Sequence, residues 1–193
     1  MGFFITDIKT ASPQPGQLYL FDANVWLAVL DSNFTTPFSQ YYTDFFDKVL
    51  SNELQPKCSV VMPSLLLSEV LNRLMNDIYY REFCLKNPKP DDVAKHTHYK
   101  KAYRSSADYS IDLASACQSI RSYHQYVKLL SDNLDKHTFK TLTKKIPAHL
   151  DFNDHLYCQM AKMQNLVIVT GDKDFMVEDV SILTSHPALL RLQ

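Results

Sequence analysis

Glycine is scarce. Three in 193 residues are too few to build a Gly-rich phosphate loop, which removes the Walker and dinucleotide-binding readings. Four scattered cysteines (Cys58, Cys84, Cys117 and Cys158) contain no Cys-x-x-Cys pair. This argues against a disulfide scaffold or a zinc knuckle and fits a reducing compartment. Long apolar runs are missing too: none approaches the roughly 18 residues of a membrane span. The opening MGFFITDIKT lacks the basic and apolar regions of a secretory leader. The expectation is a cytoplasmic protein with no membrane association. A loose myristoylation pattern through Gly2 and Thr6 is short enough to arise by chance.

What is present is ordinary in bulk and uneven along the chain. Hydrophobic residues make up 46% and charged residues 21%, which suits a globular protein and a single domain over residues 1–193. The net charge of −1 conceals a basic middle. From Tyr79 to His149, 13 Lys/Arg face 7 Asp/Glu, a net of +6, and the remainder carries −7. Residues 79–149 therefore read as a basic helical insertion in an acidic body, suited to a polyanion. Solvated helix faces account for the same charges equally well.

The richest stretch is residues 151–175, DFNDHLYCQMAKMQNLVIVTGDKDF. Asp151 and Asp154 open a helix in which Leu156, Met160 and Met163 fall at i, i+4 and i+7. Asn165 closes it, residues 166–169 form a buried strand, and Thr170, Asp172 and Asp174 follow directly. Upstream, residues 18–21 are an apolar strand that ends at Asp22-Ala23-Asn24. Residues 58–62 form another strand and lead through Pro63-Ser64 into a helix. Its apolar stripe is Leu67, Leu71, Leu74 and Ile78, with Glu69 off the stripe.

Thr36-Pro37 marks a helix start, with Phe38, Tyr42, Phe45, Val49 and Leu50 as its core stripe to about Leu54. Residues 1–16 read as a lead-in. Ala116, Ile120, Tyr123, Val127 and Leu130 read as one long helix, and residues 180–184 as a last strand. In the basic middle, His96, His98, Tyr99, Lys100, Lys101, Tyr103 and Arg104 interleave cations and rings. That pattern suits a nucleic-acid strand, with cations meeting phosphates and rings stacking on bases. Lys136, Lys140, Lys144 and Lys145 form a second basic group.

Asp22, Glu69, Asp154 and Asp172 each stand at a strand end or a following helix start, with Asp151 and Asp174 nearby. If the strands are parallel, these acids converge on one rim. Clustered carboxylates repel one another unless a cation joins them, and hard oxygen ligands select Mg²⁺ or Mn²⁺. Such an ion activates water for attack on phosphorus. Asn24 and Thr170 are placed to orient water or phosphate. Each acid also has a structural reading: Asp22 as a helix cap, Asp151 with Asp154 as a cap and third-residue pair, Asp172 with Asp174 as a turn.

The runs FDANVW, PSLLLSEV, DFNDHLYCQMAK and VIVTGDKDF resemble the four acidic motifs of PIN-domain nucleases, including the toxin ribonucleases of bacterial toxin–antitoxin pairs. The resemblance covers about residues 18–78 and 150–185. It implies a three-layer α/β/α PIN-like sandwich with a central parallel sheet, here with a helical insertion. It also implies Mg²⁺- or Mn²⁺-dependent endonucleolytic cleavage, usually of RNA. Carried over, the catalytic and metal-site acids are Asp22, Glu69, Asp154 and Asp172, with Asp174 added to the metal set and Asn24 and Thr170 as supports. Ala23 stands where the family often has a hydroxyl, and the 79–149 stretch is longer than in compact toxin-type members.

The leading expectation is a metal-dependent endonuclease of single-stranded RNA, with DNA left open, gripping its strand through Lys100, Lys101 and Arg104. An uncapped acidic site would cut freely, so an inhibitory antitoxin protein is an expected partner; a homodimer is left open. A non-catalytic PIN-like scaffold that binds RNA or protein is the alternative. A haloacid-dehalogenase-like phosphatase would want a second acid two residues after Asp22, where Asn24 stands.

Overall fold

The computed structural model describes residues 2–34, 38–51, 56–143 and 146–193. In chain order the elements are β1 (Phe4–Asp7), β2 (Leu18–Phe21), α1 (Ala23–Leu30), α2 (Ser39–Ser51), β3 (Ser59–Pro63) and α3 (Ser64–Arg73). A π-helical turn over Leu74–Tyr79 leads to α4 (Tyr80–Lys86) and α5 (Lys95–His98). A second π-helical turn over Tyr99–Tyr103 precedes α6 (Ala107–Arg121). Then come β4 (Val127–Leu130), α7 (Phe139–Leu142), α8 (Phe152–Gln164), β5 (Leu166–Val169), β6 (Ser181–Thr184) and α9 (Pro187–Leu190). Contacts divide the chain into two compact units, Met1–Leu67 with Tyr126–Gln193, and Ser68–Gln125.

The first unit holds one six-stranded sheet in the order β1-β6-β5-β2-β3-β4, with every neighbouring pair parallel. Parallel strands covered on both faces read as continuous apolar runs, and β3 is buried at every residue. The connection from β2 to β3 carries α1 and α2. The return from β4 to β5 carries α8 and runs the opposite way across the sheet. Right-handed crossovers therefore put these helices on opposite faces, giving a three-layer α/β/α architecture.

Aromatic packing ties α1 and α2 to the sheet. Phe21 and Trp26 each meet Phe46 edge-on, at centroid distances of 5.0 and 5.2 Å, and Tyr19 meets Phe45 at 5.3 Å. These rings are buried, and truncating Phe46 to Ala would cost about 3–5 kcal/mol. Helix α8 shows its local logic plainly. Asp151 caps its start by accepting from the Asp154 N–H at 2.9 Å, and Asn165 ends it in the left-handed region at φ 53.

The second unit is a helical nest of rings. Tyr80, Phe83, His98, Tyr99, Tyr103 and Tyr109 pack at centroid distances between 5.0 and 6.5 Å. Its buried polar atoms are matched internally. Tyr80 Oη lies 2.9 Å from His98 Nδ1, and Tyr103 donates to Asp112 Oδ2 at 2.7 Å.

Several local readings shift. Residues 1–16 are not only a lead-in, since β1 forms the sheet edge beside β6; just one of its side chains, Ile5, is buried. The long helix expected to reach Leu130 ends at Arg121, and Val127–Leu130 is instead the other edge strand, paired with β3. A 3.6-residue pattern ran through both because apolar positions in a short strand can fall in register with a preceding helix. On α3 and the turn after it, the buried stripe is Leu66, Val70, Leu74 and Ile78, with Leu67 and Leu71 only half-buried. The contact-defined unit Ser68–Gln125 starts and ends before the 79–149 segment read from charge. Met1, the Thr36-Pro37 helix start, Leu54, Lys144 and Lys145 lie outside the described residues.

All four cysteines are free thiols, and among the described residues no helix is long and apolar enough to cross a membrane.

Candidate active site

Strands β5 and β2 are neighbours, but the chain leaves them in opposite directions, β2 toward β3 and β5 toward β6. In an open parallel sheet this switch point opens a crevice at the carboxyl ends of the strands, where ligands bind. Asp22 follows β2 directly, and Thr170 and Asp172 follow β5.

Asp22 occupies the cap position of α1, and its carbonyl accepts from the N–H groups of Val25 and Trp26 at 2.9 and 3.1 Å. Its carboxylate makes no cap hydrogen bond to that helix. Instead Oδ2 accepts from the Thr170 hydroxyl at 2.9 Å and from Asn24 Nδ2 at 3.1 Å. Asp22 is only 4% exposed and Thr170 is fully buried. A carboxylate taken from water at such cost persists only where donors hold it.

The direction of this chain is dictated by donor counting. The Asp172 backbone N–H must donate, and it donates to Thr170 Oγ1 at 2.9 Å. The single Thr170 proton is then left to point at Asp22. Asp172 Oδ1 in turn accepts from the Asp174 N–H at 2.9 Å, so the turn reading holds for that oxygen. One hydroxyl thus ties the carboxylate after β2 to the acidic turn after β5. Hydrogen bonds link Asp22, Asn24, Thr170, Asp172 and Asp174 in one chain.

Asp154 stands in the first turn of α8, which runs antiparallel to β5. Helix α8 packs on β5 and turns into it at Asn165, at the strand's amino end. The start of the helix, with Asp151 and Asp154, therefore points back toward the carboxyl rim. Asp151 is spent on the cap. One turn along α8, burial pushes the Cys158 thiol up to about 12, with the Asp154 charge the next cause. Burial lowers His155 below its usual range, followed by the charges of Lys162 and His137. Glu69 lies on α3 beyond Leu67, half-buried, in the other compact unit.

In that second unit Lys100, Lys101 and Arg104 are exposed, with the Arg104 guanidinium 5.8 Å from the Tyr109 ring centre. Tyr103 and His98, read as part of a stacking surface, are buried in the unit's own core. These two rings satisfy packing, while His96 and the cations are presented to solvent and Tyr99 is half-buried.

Two features were missed. Asp132, just beyond β4, takes the Ser64 hydroxyl and the Leu65 N–H, which makes it a side-chain cap for α3 at the same sheet rim. Beside the acidic turn is a cavity of about 370 Å³, lined by Asn24, Ala28, Phe38, Tyr42, Gly171, Asp172, Lys173 and His186 among others. No local signal marks it, because Tyr42 looks like any core residue of an amphipathic helix.

Among the described residues no three His, Cys, Asp or Glu side chains form a group that could enclose a metal ion by themselves. Two carboxylates at one strand rim still suit a hard cation of the Mg²⁺ type. Such ions keep several waters and are held through one or two carboxylates plus substrate phosphates. Asp22 and Asp172 are the residues that would hold it.

No family model matches the chain, and no curated protein matches it. Solved structures similar to it include these two. VapBC2 from Rickettsia felis, bound to a DNA fragment from its promoter, is 11% identical with a TM-score of 0.47, over 87% of this chain and 98% of that one. PAE2754 from Pyrobaculum aerophilum is 17% identical with a TM-score of 0.46, over 92% and 90%.

Proposed function

We propose that this protein is a Mg²⁺- or Mn²⁺-dependent endonuclease that hydrolyses phosphodiester bonds of single-stranded RNA. The carrying observation is the buried Asp22 carboxylate, which makes no cap hydrogen bond to the backbone of α1 and is bound through Thr170 to the acidic turn at the sheet's switch point. A carboxylate serving only as a cap would accept from the backbone N–H groups of its own helix. This one is oriented by side chains from a strand end and from Asn24.

In this reading Asp22 and Asp172 hold the cation, with Asp154 and Asp174 as the further acids of the first unit; Glu69, on the second unit, is a separate candidate acid. Thr170 and Asn24 fix the orientation of Asp22. A bound divalent ion supplies an activated water and neutralises charge on the scissile phosphate. Lys100, Lys101 and Arg104 attract the strand by its phosphates. The same reading places the protein in the cytoplasm as the toxin of a toxin–antitoxin pair, restrained by an antitoxin protein. Recovery of the protein pure, active and harmless to its host would remove the antitoxin.

The test is cleavage of a mixed single-stranded RNA and DNA pool in Mn²⁺, Mg²⁺ or EDTA, for the wild type, Asp22→Asn and Asp172→Asn. Metal-dependent cutting of RNA, lost in both variants, is expected. A second reading, a non-catalytic PIN-like scaffold, is favoured by the lack of a three-ligand cage among the described residues. It replaces the first if nothing is cut with any metal while strand binding persists.

A further inference from the structure

The cavity beside the acidic turn carries an inference about how a strand is seated. It opens between α1, Phe38 with the start of α2, the turn after β5 and His186, two residues past β6, all within the first unit. Two of its wall residues, Asn24 and Asp172, belong to the acidic site, so whatever fills the cavity is contiguous with a group held there. The wall is mostly apolar and includes two rings, Phe38 and Tyr42. Tyr42 is rigid. Its hydroxyl accepts from the backbone N–H and side chain of Ser185 at 2.9 and 3.0 Å and lies 3.3 Å from Thr184 Oγ1.

Gly171 decides how much of that space is open. Its backbone is not left-handed, so no conformational need calls for glycine. A Cβ there would meet Tyr42 Oη at 3.4 Å and its ring carbons at 3.5 Å, ordinary contact distances. Alanine would fit without strain and would fill part of the cavity. One of only three glycines in the chain thus serves to leave room against a fixed ring.

Polar groups stand at the same wall. His186 Nδ1 accepts the Ala188 N–H at 3.2 Å, which places the ring proton on Nε2 as a donor. Lys173 adds an exposed cation. A planar, apolar-faced group with acceptors on its edge, attached to a phosphate chain, matches this set. We propose that the cavity seats one unpaired nucleobase of the strand whose phosphate lies at Asp22 and Asp172; the inference rests on the nuclease reading for that phosphate. Flat bases stack on aromatic walls with little regard to sequence, and Lys173 and His186 read the edge.

The test needs neither metal nor cleavage. The four nucleoside 5′-monophosphates and ribose 5-phosphate are titrated in EDTA against the full-length wild type, Gly171→Ala and Ala28→Leu, with thermal melting as the folding check. At least one nucleotide should bind tenfold or more tighter than ribose 5-phosphate, and each variant should remove about tenfold of that preference. In the wild type, the amide resonances of Gly171, Lys173 and His186 should shift with nucleotide and stay still with ribose 5-phosphate, which covers a variant that fails to fold. Equal binding of ribose 5-phosphate, unmoved resonances or folded variants with unchanged preference would each overturn the pocket. Base-dependent binding without any cutting sinks the nuclease reading and leaves the pocket standing. Cutting with no base-dependent binding sinks the pocket alone.

Discussion

The two compact units bury polar groups in different ways. In the second unit each buried polar group has a partner within the same nest: Tyr80 meets His98, and Tyr103 meets Asp112. Its charges, Lys100, Lys101 and Arg104 among them, are exposed. In the first unit the buried chain runs through Thr170 to Asp22 and out to Asp172 and Asp174, ending on carboxylates at an open strand rim. A closed polar network specifies packing, while one that ends on aligned carboxylates holds charge where a ligand can reach it. In the proposed reading, chemistry belongs to the first unit and strand attraction to the cations of the second.

The sharpest way to break this contrast is to neutralise one carboxylate in each unit. Asp22→Asn should lower metal-dependent RNA cleavage by about 10³-fold, the scale of losing a preorganised electrostatic group. Asp112→Asn should leave it unchanged. Equal losses, read as initial rates, would mean that both acids are structural.

Removing a hydroxyl from each network is the next step down. Tyr103→Phe should cost about 1.5–3 kcal/mol in urea unfolding, as expected for a hydrogen bond to a charged group, with cleavage per folded molecule retained. Thr170→Val should cost about 1–3 kcal/mol, because it leaves the Asp172 N–H and Asp22 Oδ2 each short of a partner. Unlike the tyrosine change it should also slow cleavage, and Thr170→Ser should restore both. A Thr170→Val protein with full activity would break the proposed link between Asp22 and Asp172.

Replacing Lys100, Lys101 and Arg104 together by Ala should weaken strand binding and flatten its salt dependence, by up to about 0.7 in log–log slope for each lost phosphate contact. Metal affinity should not move. An unchanged slope would reduce these cations to a solvated face.

The smallest effect is on pH dependence. Burial, then the neighbouring Cys84, pushes the Tyr80 hydroxyl up to about 12. The folded pKa is above the unfolded value of 10.0, so the neutral phenol's contribution is complete below pH 10 and is lost as pH rises toward 12. Denaturant midpoints at pH 9, 10 and 11 should fall across the last step in the wild type and fall less in Tyr80→Phe. Parallel profiles for the two proteins would discount the burial.

Much of this was legible because the signals are local. Apolar runs of four or five residues mark the buried strands β2, β3 and β5, and Asp151 and Asn165 bracket α8 with cap chemistry that needs no tertiary partner. The edge strands β1 and β4 were lost. An edge strand has one paired side and few buried residues, so its sequence loses the continuous apolar pattern. The rings of the basic segment were misassigned for a related reason: spacing alone does not say which face of a short helix a ring takes, and here packing turned Tyr103 inward.

Asp22 marks the boundary between the two sources of information. Residue type and position, an acid between a buried strand and a helix, are written in the chain and permit either a cap or a site. A cap bond closes within a few residues. Beside a local bond from Asn24, Asp22 takes one from Thr170, 148 residues away, and that bond exists because β2 and β5 pair in parallel and finish at the same rim. The sequence determined which side chains stand at the strand ends; only the folded sheet decided which donor each oxygen meets, because that choice depends on distances between strands that no local pattern encodes.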